Sequence, residues 1–144
     1  MVKVKELLAG KPDELWTVGP DKTVYEALEI LADKGVGALP VVDDGALLGI
    51  LSERDYARKG ILEGRGSRDT PVSALMSTTV YCVSPSDSIN DCMALMTERR
   101  VRHLPVMQDD QLVGIVTIGD VVKKVIVEQK HTIEHLERYI RGSY

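Results

Sequence analysis

Apolar and polar positions alternate along this chain in two rhythms. Val24, Ala27, Leu28 and Leu31 recur at three- and four-residue spacing, which predicts a helix with one buried face. Thr23 ahead of it and Glu26 three residues on form a capping box, and Gly35 supplies the end residue suited to positive φ. Ala38 to Val42 is a continuous apolar run, the pattern of a buried strand. Asp43-Asp44-Gly45 turns the chain, and Ala46 to Leu51 returns as the hairpin partner. A short strand over Leu15 to Val18 precedes this set, and a second helix over Ser52 to about Leu62 follows it. The rhythm then starts again. It predicts a strand near Tyr81 to Val83, a helix over Ser88 to Arg100 and a strand over His103 to Met107. A turn at Gln108-Asp109-Asp110, a strand over Leu112 to Val116 and a helix from Thr117 complete the second set.

The recurrence extends to residue identity. Val18–Asp55 and Val83–Asp120 align without a gap at a shift of 65 residues, and eleven of the 38 pairs are identical. Among them are Pro40/Pro105, Gly49/Gly114, Ile50/Ile115 and Asp55/Asp120. A duplication decides the architecture: a unit of about 60 residues buries too little surface to be stable alone, so two units must pack together. The predicted organisation is a first repeat with its N-terminal segment over residues 1–62, a linker over 63–71, a second repeat over 72–130 and a helical tail over 131–144. Thr70 and Pro71 read as an N-cap and a first-turn proline opening a short helix through Met76. In the tail, Ile126, Ile133 and Ile140 recur every seven residues with Leu136 between. That stripe suits the protein's own core first and a partner helix second.

Composition narrows the classes. An apolar fraction of 44% is that of a folded globular chain. A net charge of −4 with interspersed signs, 4% aromatic residues and no Phe argue against a nucleic-acid binder. No apolar run is long enough to span a bilayer, and the N-terminus lacks a secretory core, so the cytoplasm is the expected compartment. Cys82 and Cys92 form no CxxC and are expected to behave as small buried hydrophobes.

Each copy ends alike: Gly49, Ser52 and Asp55 in the first, Gly114, Thr117 and Asp120 in the second. Two such endings at a fixed offset, each after a Leu-Pro-Val strand, together with the segments over 49–59 and 99–106, resemble a cystathionine-β-synthase (CBS) domain pair of the stand-alone type. The resemblance implies an α+β fold of tandem repeats, each strand-helix-strand-strand-helix, related by a pseudo-twofold axis. It implies two clefts that bind adenosine compounds, and modules that stack as homodimers. AMP is the preferred ligand, with ADP, ATP and NAD behind it, and no catalytic cofactor or metal is expected.

The residues fit that chemistry. An Asp carboxylate matches the two neighbouring hydroxyls of a ribose, and a helix N-terminus with its Ser or Thr suits a phosphate. Ser52, Asp55, Thr117 and Asp120 are therefore the leading candidates, although a hydroxyl and an acid three residues apart also make a plain capping box. Arg102 and His103, with counterparts Gly37 and Ala38, lie where the resemblance puts main-chain contacts to a base. Arg54 is expected to supply the cation that Gly37 and Ala38 lack, and its counterpart Gly119 to permit close backbone approach. Thr17 and Cys82, ending the first strand of each copy, complete the set; Trp16 beside Thr17 reads as core. The expected function is a non-enzymatic sensor of adenine nucleotides acting on an unidentified effector protein. The alternatives are a structural dimerisation module with vestigial clefts, and a zinc hydrolase using His131, Glu134 and His135, which match His-x-x-Glu-His.

Overall fold

The computed structural model describes residues 2–12 and 14–140. In chain order the elements are α1 (Val4–Ala9), α2 (Val24–Lys34), β1 (Ala38–Asp43), β2 (Ala46–Ser52), α3 (Glu53–Asp55), α4 (Val72–Leu75), α5 (Ile89–Arg99), β3 (His103–Gln108), β4 (Gln111–Thr117) and α6 (Ile118–Ile140). The fold is α+β and built twice. β1 and β2 form one antiparallel hairpin and β3 and β4 another, each bulged at the matching place, Val41/Val42 and Val106/Met107. The first strand of each repeat is confined to one bridging residue: Val18 pairs in parallel with Val41, and Val83 with Val106.

The helices form where the caps put them. Thr23 and Ser88 each accept a hydrogen bond from the backbone three residues on, from Glu26 and Asp91, and those acids return to the cap N–H. α3 runs on without a break into a π-helical segment, Tyr56–Ile61. Buried Gly60 permits this wide turn, since a Cβ there would stand 2.7 Å from the Tyr56 ring. Thr70 does not cap α4: its hydroxyl donates to the Gly66 carbonyl at 2.7 Å, and Pro71 itself takes the extended cap position. With ψ of 152°, Pro71 has the extended geometry of a residue outside the helix.

The two cores are exchanged between the repeats. α1, which precedes the first repeat, buries Val4 and Leu7 against Val83, Ile89, Leu104 and Val116 of the second. α4, which precedes the second, buries Val72 and Leu75 against Val18, Val24, Leu39 and Leu51 of the first. The hydrogen bonds match: the Val4 N–H donates to the Asp87 carbonyl and the Val72 N–H to the Lys22 carbonyl, both at 2.8 Å. Neither repeat has a complete core without the segment leading into its twin.

Glycine enables the exchange at Gly49 and Gly114. A Cβ on Gly49 would lie 2.6 Å from the Ser77 carbonyl oxygen, and one on Gly114 would lie 2.7 Å from Leu8 Cδ2. Ser77 uses the space to pair with Ile50 in both directions, at 3.0 and 2.8 Å. The stripe of α6 does not cover the protein's own core. Val121 is buried and Val125 half-buried, but Ile126, Ile133 and Ile140 are 59%, 55% and 82% exposed. Residues 141–144 of the expected tail lie outside the described residues. Cys92 is buried as expected, and burial pushes its thiol up to about 11. Cys82 is exposed, because the side chain beside the bridging Val83 points away from the core.

Candidate functional site

Where the two halves meet, they leave two clefts. Each joins the β-to-helix junction of one repeat to the start of the second strand of the other. The larger, about 470 Å³, holds Thr117 and Asp120 from the second repeat and Gly37 and Ala38 from the first. The smaller, about 310 Å³, holds Ser52, Arg54 and Asp55 from the first repeat and Arg102 and His103 from the second. The crosswise assembly corrects part of the grouping expected from sequence. Gly37 lines both clefts and so does share the smaller one with Arg54, but Ala38 lines only the larger, and Arg102 already brings a cation to the smaller.

Both acids sit at helix starts. Asp55 Oδ2 accepts from the Ser52 N–H at 2.9 Å and the Ser52 hydroxyl at 3.0 Å, while Lys59 Nζ stands 3.6 Å from Oδ1. Asp120 Oδ2 accepts from the Thr117 N–H at 2.9 Å and from Lys11 Nζ at 2.7 Å. Lys11 also donates to the Ile115 carbonyl at 2.9 Å. Capping geometry alone does not mark a site, since Thr23/Glu26 and Ser88/Asp91 form the same boxes and line neither cleft. The acids of the two repeat endings differ in standing at the mouths of cavities.

His103 lies between the clefts and lines both. Its Nε2 is 3.4 Å from where a Cβ on Gly37 would be, so the ring fills the space that the glycine leaves. Burial, then Lys11 and Arg102, hold its pKa below the ordinary 6.5, and Asp120 only partly opposes them. The ring is neutral at pH 7 and is both a donor and an acceptor.

Thr17, Cys82 and Gly119 are not among the residues lining the clefts. The first two are the exposed neighbours of the buried bridging residues Val18 and Val83, and the consecutive pairs just before them, Leu15 and Trp16, and Val80 and Tyr81, are what reach the cavities. Trp16 is therefore a wall of the larger cleft, with the Lys34 ammonium 4.2 Å from its ring centroid. Sequence reasoning also missed Lys11 and Lys34 in the larger cleft and Arg58 in the smaller, where Arg100 of the basic run over 99–103 stands beside Arg102. Arg58 follows Arg54 by four residues, a spacing that signals one helix face. Lys11 lies outside the repeat, and no pattern pointed to it.

A sequence model of the CBS domain matches residues 4–60 and 72–127. The chain belongs to the CBS domain family. It is a CBS domain pair, whose two matches begin at the exchanged segments described above. It is 42% identical over 135 residues to the CBS domain-containing protein CBSX3, mitochondrial, of Arabidopsis thaliana, covering 90% of this chain and 65% of that relative. Its structure superposes on a Burkholderia ambifaria protein, described as a signal-transduction protein with CBS domains, with a TM-score of 0.86. The two are 46% identical, and the match covers 89% of this chain and 96% of that one. The CBS domain pair of protein MJ0100, solved with 5′-methylthioadenosine and S-adenosyl-L-methionine, superposes with a TM-score of 0.79. That pair is 25% identical, over 89% of this chain and 98% of that one. Among the described residues no helix of this CBS pair is long and apolar enough to cross a membrane. His131, Glu134 and His135 stand exposed on α6, outside the lining of both clefts.

Proposed function

We propose that this CBS pair is a non-enzymatic regulatory module that binds adenine nucleotides in its two clefts and signals to an effector protein by changing shape. One observation carries the reading. Each cleft presents an N-capped carboxylate from one repeat opposite the backbone that begins a strand of the other. A ribose on the acid and a base along the facing strand would tie the halves together. The adenosine compounds held by the MJ0100 pair support that class of ligand. AMP is preferred, with ADP, ATP and NAD behind it, and the proposed compartment is the cytoplasm. Signalling requires that ligand prefer one arrangement of the halves, since equal affinity for two states shifts neither. The exchanged α1 and α4 are the elements through which such a change would spread.

A homodimer is the proposed assembly. From Ile126 to Ile140, α6 runs for about 22 Å without burying a residue, and a helix of that length is marginal alone. Two antiparallel copies that set Ile126 against Leu136 bring Lys123 of each copy opposite Glu137 of the other, an opposite-charge pair beside an apolar seam.

A scaffold with vestigial clefts draws on a single observation, Lys11 already bound to Asp120. Calorimetry separates the readings. AMP should release or absorb heat on binding the wild-type protein and give none with an Asp55→Ala, Asp120→Ala double variant that still melts cooperatively. Silence from the wild type toward every adenosine compound at millimolar concentration would leave only the scaffold.

A further inference from the structure

The two clefts differ most in their cations. Arg54, Arg58, Arg100 and Arg102 line the Asp55 cleft against two carboxylates, Glu53 and Asp55, a surplus of two positive charges. In the Asp120 cleft, Lys11 and Lys34 face Glu14 and Asp120, and the charges balance. One lysine there is already held by the acid and the other lies over Trp16.

Arg100 supplies a second, independent observation. It ends α5 in the left-handed conformation, with φ of 53°. Its counterpart in the first repeat is Gly35, which ends α2 at φ of 66°. The other non-glycine residues with positive φ among those described are Asp44, Asp109 and Asp110. All three are aspartates at hairpin turns, a residue type that tolerates this region. A long side chain tolerates it poorly, and such strain gathers where function holds it. The second repeat thus keeps a strained arginine where the first has the relaxed residue, and that arginine faces a cavity.

The geometry points to the Asp55 cleft as the site for a nucleoside carrying two or three phosphates, with Arg100 as a specificity-determining residue that reads the outer phosphates. This rests on the adenine-nucleotide reading above. Asp55 and Ser52 hold the sugar and first phosphate, as their twins do in the other cleft. The planar guanidinium forks of Arg54, Arg58, Arg100 and Arg102 match phosphate oxygens, which a lone ammonium cannot do bidentately. The surplus of two charges offsets what AMP lacks and ADP and ATP carry. The charge-balanced Asp120 cleft is left to the monophosphate.

The test uses the full chain with Asp120→Ala, so that only the Asp55 cleft reports. It is titrated with AMP, ADP and ATP without magnesium at fixed low salt. Affinity should rise from AMP to ATP by about ten- to a hundredfold, and the advantage should shrink as salt is added. Adding Arg100→Gly should cut ATP affinity by about five- to thirtyfold, leave AMP nearly unchanged, and keep or raise the melting temperature, since glycine relaxes the strained site. Arg102→Ala, at a position with ordinary backbone, is the parallel variant should Arg100→Gly fail to fold. AMP binding as tightly as ATP, or an ATP-to-AMP ratio unmoved by both variants, overturns this inference and leaves the adenine-nucleotide reading standing. Failure of every adenosine compound to bind the wild-type protein overturns that reading, and this inference with it.

Discussion

Lys11 is the residue whose replacement says most about the larger cleft. Its ammonium takes the same Asp120 oxygen that the Thr117 N–H caps, at 2.7 Å, and its second bond goes to the Ile115 carbonyl. A ribose diol binding Asp120 must displace it. The contact lies between two regimes. Fully exposed ion pairs contribute about 0–1 kcal/mol, and charge-assisted hydrogen bonds about 1.5–3 kcal/mol. With 28% and 22% of the two side chains exposed, about 1 kcal/mol is the appropriate figure after allowing for solvent screening. Lys11→Met keeps the stem and removes the competitor, so AMP affinity at this cleft should rise about fivefold. Calorimetry in an Asp55→Ala background isolates the cleft, and thermal melting without ligand should show a loss of about 1 kcal/mol or less. Weaker AMP binding in Lys11→Met would refute the reasoning, because it would make Lys11 a ligand to the nucleotide rather than its competitor.

Three further outcomes are expected. Gly49→Ala should destabilise by about 1–3 kcal/mol, since its Cβ meets the hydrogen-bonded Ser77 carbonyl; Gly114→Ala should cost less than about 1 kcal/mol, since it meets only the movable end of Leu8. Equal losses in urea melts would contradict the exchanged packing. His103 has a folded-state pKa below 6.5, so the unfolded chain takes up its proton first as pH falls. Its contribution is intact above 6.5 and is lost as pH drops through the folded value; melting temperature should fall more steeply below pH 6.5 in wild type than in His103→Asn. If α6 pairs two copies as proposed, Ile133→Asp should halve the mass seen by sedimentation while leaving AMP binding intact, and an unchanged mass would refute pairing through α6.

The sequence made the periodic parts legible and left the crosswise ones hidden. The capping boxes at Thr23, Ser52 and Thr117, the glycine end at Gly35 and both hairpins are local signals, and they stand where the pattern put them. The first strands shrank to Val18 and Val83 because each meets its neighbour at one residue, which apolar content does not reveal. Thr17 and Cys82 missed the clefts for a related reason. Outside the single bridging residue the segment is not a regular strand, so the consecutive residues Leu15 and Trp16, and Val80 and Tyr81, line the cavities where a strand pattern would have offered Thr17 and Cys82.

The grouping of the site was incomplete for a physical reason that also bears on the proposed function. A repeat aligned to itself groups Arg54 with its own Gly37 and Ala38, whereas Ala38 lines the other cleft and Arg102 reaches Arg54 from the second repeat. Packing obeys a different demand. Each half is too small to close its own core, so α1 crosses to the second repeat and α4 to the first, and the clefts open along the seam that this exchange creates. On the proposed reading, a ligand in either cleft would touch both repeats and could not bind one half without sensing the placement of the other. The feature that lets two marginal units fold is then the one through which a small molecule would report on how they are joined.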